Sequence, residues 1–249
     1  MAFALALTVW IDFEADGIGP LKNPALVVAV STSIPQYRAL YSQARELGEY
    51  MLKKMSPEKI GTVRTSAFPP EVLVRRDGIS TLPECAFYLI KGKRDILLFA
   101  GDTSPAEDQY EFAEFLLGKA KEMGVSELYS VGARWAENPL PPEAEPQVTG
   151  FATDSVGVSK LKKHGVKIIG DEPAPFFASM VVAMAKENGI RGYKLSVDHG
   201  EPSPHLRSVA KLLEILSAMA GFEVDLKELR SKAPPATPAS QTGNSSIYH

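Results

Sequence analysis

Residues 96–133 read ILLFAGDTSPAEDQYEFAEFLLGKAKEMGVSELYSVGA, and the change of pattern within them decides the fold class. Ile96 to Ala100 is an uninterrupted apolar run, the mark of a strand covered on both faces. Gly101 to Pro105 carries turn chemistry, and Pro105 is placed to open a helix with Glu107 and Asp108 in its first turn. Tyr110, Phe112, Ala113, Phe115, Leu116, Leu117 and Ala120 then supply the apolar surface of that helix before Gly124. The segment ELYSVGA, 127–133, reads as the next strand. Strand, helix and strand in succession argue for a parallel or mixed sheet with helices packed on it.

The same alternation extends outward in both directions. Upstream, Leu5 to Ile11 and Ala25 to Val30 read as buried strands. Pro35 sits near the start of a helix whose Tyr37, Leu40, Tyr41, Ala44, Leu47, Met51 and Leu52 fall at three- and four-residue steps and which stops before Pro57. IGTVRT, EVLVRR, AFYLIKG and DILLFAG follow as strands, separated by turns at Phe68-Pro-Pro, Asp77-Gly and Gly92-Lys-Arg-Asp. Ala86 to Ile90 and Ile96 to Ala100 suit a hairpin. Downstream, a proline-rich crossing over 138–146 leads to the strand VTGFATD, and a short helix spans Ser155 to His164. A strongly apolar helix spans Phe176 to Asn188, and Gly192 to Val197 is a strand. Ser203-Pro204 opens another helix, and Leu226 and Leu229 mark a last short one. These readings predict one three-layer αβα domain over 1–232, with a mixed, mostly parallel sheet.

Composition narrows the classes of function. A net charge of −3, with no cluster of Lys and Arg, leaves no basic footprint for nucleic acid. The only cysteine, Cys85, allows no internal disulfide and fits a reducing compartment. No apolar stretch is long enough to span a bilayer, and the apolar N-terminus lacks a basic region and a small-residue cleavage site. A cytoplasmic protein without membrane or nucleic-acid partners is expected.

From Ala233 the character changes to APPATPASQTGNSS, a segment without charge that has too little apolar surface to offset its ordering entropy. Residues 233–249 are therefore expected to form a flexible tail. At its end stand Ile247, Tyr248 and His249, an aliphatic contact, a large amphipathic ring and a carboxylate suited to a lysine. This ending resembles the hydrophobic–Tyr–X (HbYX) motif with which proteasome activators and assembly factors dock between α-subunits of the 20S proteasome. Leu97-Leu-Phe-Ala-Gly-Asp102, Gly124 to Ala133, Val148 to Thr153, Asn188-Gly-Ile190, Pro202-Ser-Pro204 and Gly221 to Leu226 occur in an order that resembles the proteasome assembly chaperone 2 family and its archaeal relatives. The resemblance implies a fold similar to purine nucleoside phosphorylases, homo-oligomers, and protein binding without catalysis. It also implies that the tail docks on the proteasome α-ring.

A phosphorylase-like fold also raises a different class, a nucleoside- or phosphate-using enzyme. Asp12-Phe-Glu14-Ala-Asp16-Gly17 opens like a calcium loop, but Asn23 occupies the position that requires Glu, and Pro20 interrupts it. Gly17-Ile-Gly19 lacks the rest of a dinucleotide fingerprint, and no GxxxxGK[ST] run exists for ATP. His164 beside Gly165 suits a helix C-terminus. Asp198-His199-Gly200-Glu201 with His205 follows a strand end, where a general base could be built. Asp102 and Arg134 occupy comparable positions and are read as loop-structuring residues or phosphate contacts. No nucleophile accompanies them, so no catalytic, cofactor or metal residue is assigned.

Overall fold

The computed structural model describes residues 9–15, 18–34, 38, 42–135, 145–199 and 206–232. In chain order its elements are β1 (Ile11–Ala15), β2 (Ala25–Val30), α1 (Gln43–Met55), β3 (Glu58–Thr65), β4 (Leu73–Val74), β5 (Ser80–Thr81), β6 (Cys85–Ile90), β7 (Ile96–Gly101), α2 (Gln109–Glu122), β8 (Glu127–Trp135), β9 (Val148–Ala152), α3 (Ser155–Lys163), β10 (Lys167–Ile168), α4 (Phe177–Glu187), β11 (Arg191–His199), α5 (Leu206–Ala220) and α6 (Lys227–Lys232). Nine strands form one sheet in the order β1-β3-β6-β7-β2-β8-β11-β9-β10. Its centre is parallel, through the pairs β7–β2, β2–β8 and β8–β11. The hairpin β6–β7 pairs Ala86 with Ala100 and Ile90 with Ile96, and extends the sheet antiparallel on one side. On the other side β9 runs antiparallel to β11.

Strand β2 shows how the layers arise. All six of its residues are buried, so neither face touches water. Ala25, Val27 and Ala29 join Leu47 and Met51 of α1 and Leu212, Leu213 and Leu216 of α5 in one core. Leu26, Val28 and Val30 join Phe112 and Leu116 of α2 and Val181 of α4 in the other. Successive side chains on a strand point to opposite faces, which turns one apolar run into two cores. Each fully buried Leu, Val or Phe contributes roughly 1.5–3 kcal/mol.

Two sequence expectations are corrected, those for EVLVRR and for the start of the helix after Pro105. Most of the strand expected over Leu5 to Ile11 lies outside the described residues; the first described strand is Ile11–Ala15, an edge strand paired antiparallel with β3. Asp12 and Glu14 are therefore strand residues with exposed side chains, not the opening of a cation loop. EVLVRR is not a strand of the main sheet. Leu73 and Val74 pair only with Thr81 and Ser80, leaving Val72, Val74, Ile79 and Leu82 exposed. Alternation signals an extended segment, but which neighbour covers it depends on tertiary pairing. The helix predicted from Pro105 begins at Gln109. The backbone N–H groups of Ala106 and Glu107 donate instead to Ala67 O, and Asp108 takes a left-handed φ of 45°. The two-residue β10 is too short to leave a periodic signal in the sequence.

Candidate site at the strand ends

The parallel strands end together on one side of the sheet, where Val30 ends β2 and Ser31 and Thr32 follow it, Val131 to Arg134 lie on β8, and Lys194 and Ser196 lie on β11. The rim is closed by Glu172-Pro-Ala-Pro-Phe176 and the first turn of α4. Between them lies a recess of about 210 Å³. Such crevices beyond strand carboxyl ends are where open α/β sheets hold ligands.

Lys194 is the unusual member. Residues 193, 195 and 197 face the α1–α5 core, so Lys194 and Ser196 point to the opposite face, under α4. The lysine is only 5% exposed, yet its Nζ has no hydrogen-bond or ion-pair partner among the described residues. Burial alone pushes its ammonium down from 10.5 to about 7. Gly132 on β8 makes room for it, since a Cβ built there would stand 3.1 Å from Lys194 Nζ. The buried Ser31 Oγ, in the same lining, also lacks a partner among the described residues. Helix α4 opens at Phe176 without a side-chain cap, and this bulky residue adopts a φ of 74°. A left-handed aromatic residue is strained by roughly 1–3 kcal/mol, a feature concentrated at ligand sites.

Of the candidate residues that are described, Arg134 lines the recess and the others lie outside it. Arg134 pairs there with Glu172. Asp102 accepts both Arg75 Nη atoms, at 3.3 and 3.1 Å, and the Glu84 backbone N–H at 3.2 Å, so it structures a loop. His164 Nδ1 lies 2.9 Å from Lys160 O beside the C-terminus of α3. The Cys85 thiol is buried, which pushes its pKa up, and it donates to Thr103 O. Among the described residues no three His, Cys, Asp or Glu side chains could hold a metal ion. Asp198 and His199 close β11, while Glu201 and His205 lie outside the described residues. So do Ile247, Tyr248 and His249, with the whole segment 233–249. No described helix is long and apolar enough to cross a membrane.

Lys194 is not singled out by its sequence. In Gly192-Tyr-Lys-Leu-Ser-Val197 the alternation is that of a strand with one wet face. Only the packing of α4 shows that this face is dry.

A mixed sheet between two helical layers, with a recess at the ends of its parallel strands, defines a three-layer α/β protein of the open-sheet class. Residues 44–235 match the PAC2 family, and the chain belongs to it. A curated relative, the uncharacterized protein MJ1210 of Methanocaldococcus jannaschii, is 26% identical over 229 residues, covering 90% of this chain and 84% of that one. Among solved structures the chain is similar to Pyrococcus furiosus PbaB, an archaeal proteasome activator. The TM-score is 0.75 at 19% identity, with 90% of this chain and 94% of that chain covered. It is also similar to Pyrococcus furiosus PbaA, an archaeal homolog of proteasome-assembly chaperone. Here the TM-score is 0.69 at 20% identity, with 90% and 91% covered. At these identities the likeness to the solved structures is one of fold.

Proposed function

We propose that this protein is a non-enzymatic, ATP-independent chaperone or adaptor that docks Ile247, Tyr248 and His249 on the α-ring of the 20S proteasome. The observation that carries the reading is the meeting of two features. The domain belongs to the PAC2 family and shares its fold with an archaeal proteasome activator, and the sequence ends in a hydrophobic–Tyr–X tripeptide. Neither feature requires the other.

Within this reading residues 1–232 form the body and 233–249 the tether. The tether's root is well held. Lys53 and Lys54 of α1 each reach Glu228 of α6 at 2.7 Å, and Tyr50 Oη donates to Asp225 O at 2.6 Å. From that root a segment of 17 residues, 233–249, has a reach of about 20–25 Å. Several such arms on one homo-oligomer would fill several α-ring grooves at once and convert weak single contacts into avidity. The exposed Val72, Val74, Ile79 and Leu82 on the β4–β5 hairpin fit self-association with a second copy.

Native mass spectrometry with purified α-rings tests the proposal. Deleting 247–249, or Tyr248→Ala, should abolish ring binding while leaving the domain folded and its oligomer intact. Adding a few residues after His249 should weaken binding by displacing the carboxylate. Undiminished ring binding by the truncated protein would remove the reading.

A further inference from the structure

We infer that the recess at the strand ends is a binding site for a small monocarboxylic acid with an apolar body, whose carboxylate meets Lys194 Nζ. The inference goes beyond the proteasome reading and does not depend on it.

Three observations converge on an anion. Lys194 is almost wholly buried and unpartnered among the described residues, and it lines the recess. A buried cation without an acceptor is costly unless something supplies one. Ser31 Oγ is a second unsatisfied polar atom of the same lining and can donate to the same ligand. The first turn of α4 adds the positive end of an 11-residue helix without a side-chain cap, through Ala178, since Ser179 N–H already donates to Phe176 O at 3.0 Å.

The rest of the lining selects the class of anion. Arg134 is already matched by Glu172, so the recess offers one net positive charge. One charge suits a carboxylate better than a phosphate dianion. Val30, Val131, Phe151, Ile169 and Phe176 make most of the wall apolar, which calls for a hydrocarbon body. At about 210 Å³ the space is somewhat larger than the roughly 150 Å³ cavity known to hold benzene, so a single ring or a short chain fits.

The charged side chains lining the recess are Lys194, Arg134 on β8, and Glu172 in the β10–α4 connection. Among the described residues α1, α4, β2 and β9 bring no titratable group to it. Binding of an acid should therefore restore the proton that burial weakens at Lys194. At pH 8 uptake should approach one proton per site, and at pH 6 it should vanish.

Calorimetric titration of the full chain with benzoate, hexanoate, benzamide and inorganic phosphate tests this. At least one of the two acids should bind with a Kd of about 1 mM or tighter, and benzamide should bind at least about 10-fold more weakly than benzoate. Phosphate should bind no better than the acids. Lys194→Met should weaken acid binding by about 10- to 100-fold and remove the proton uptake at pH 8, with the fold retained. Gly132→Ala, which crowds the amine, should weaken acid binding without changing the charge. The inference is overturned if neither acid binds below about 10 mM, if benzamide matches benzoate, or if the Met variant keeps its affinity. Retained α-ring binding by Lys194→Met would separate the two proposals.

Discussion

Tyr193 and Lys194 are neighbours on β11, yet their surroundings are opposites. Tyr193 Oη donates to Glu127 at 3.0 Å, and its ring stacks on Tyr129 with centroids 4.8 Å apart. Around that carboxylate Lys160 Nζ lies at 2.8 Å, Arg94 Nη1 at 2.5 Å and Tyr129 Oη at 3.0 Å. Tyr129 Oη also lies 3.1 Å from Met219 O, which ties the cluster to α5. Burial would raise the Glu127 carboxyl, but the hydrogen bonds from Lys160 and Arg94 outweigh it and hold the group at about 2. On the opposite face, one residue on, Lys194 and Ser31 have no side-chain partner among the described residues. A buried polar group that is fully satisfied specifies a structure. One left unsatisfied lowers stability, and here it is the group that the proposed acid would meet.

The contrast can be broken from the satisfied side first. Glu127→Leu leaves Arg94 and Lys160 without their shared acceptor and should destabilise the protein by about 2–4 kcal/mol in urea unfolding. In the wild type the same network sets an acid limit. Because the folded Glu127 lies below its ordinary 4.5, its stabilisation is complete above that value and is lost as the pH falls towards 2. An acid titration in which Glu127→Leu and wild type lose stability in parallel would dissolve the contrast.

On the unsatisfied side the sign reverses. Lys194→Met replaces an unpartnered buried cation with an apolar chain of similar length and should stabilise the free protein by about 1–3 kcal/mol near neutral pH. Between about 7 and 10.5 the unfolded chain holds a lysine proton that the folded chain lacks, so wild-type stability should rise with pH across that window. The Met variant should lose this component of the slope. Thermal unfolding at pH 7 and 10 measures both effects, and a destabilised Met variant would mean that Lys194 has a partner. The smallest effect sharpens the same point. Ser31→Ala removes an unpaired hydroxyl and should change stability by no more than about 0.5 kcal/mol in either direction. A loss above about 1 kcal/mol would show that Ser31 Oγ is bonded in the free protein.

Legibility followed how local each signal was. Ile96 to Gly101 and Ala25 to Val30 were readable as strands because a core strand must be apolar on both faces, and both are wholly or almost wholly buried. The hairpin β6–β7 was readable from its short polar connection. The start of α2 was not, because Ala67, far along the chain, takes the two N–H groups that Pro105 would have brought into the helix. EVLVRR misled for the same kind of reason, since its pairing partner is the small β5 and not the sheet.

By itself the sequence determined the α/β class, the strand–helix succession, the change of composition at Ala233 and the terminal tripeptide, all written in runs of neighbouring residues. The tertiary structure alone decided that strands from distant segments end at one recess and that α4 roofs a lysine resembling a solvent-facing strand residue. Desolvation is a property of what packs on a side chain and not of its sequence neighbours, so an ammonium held near neutrality becomes visible only once the layers are assembled.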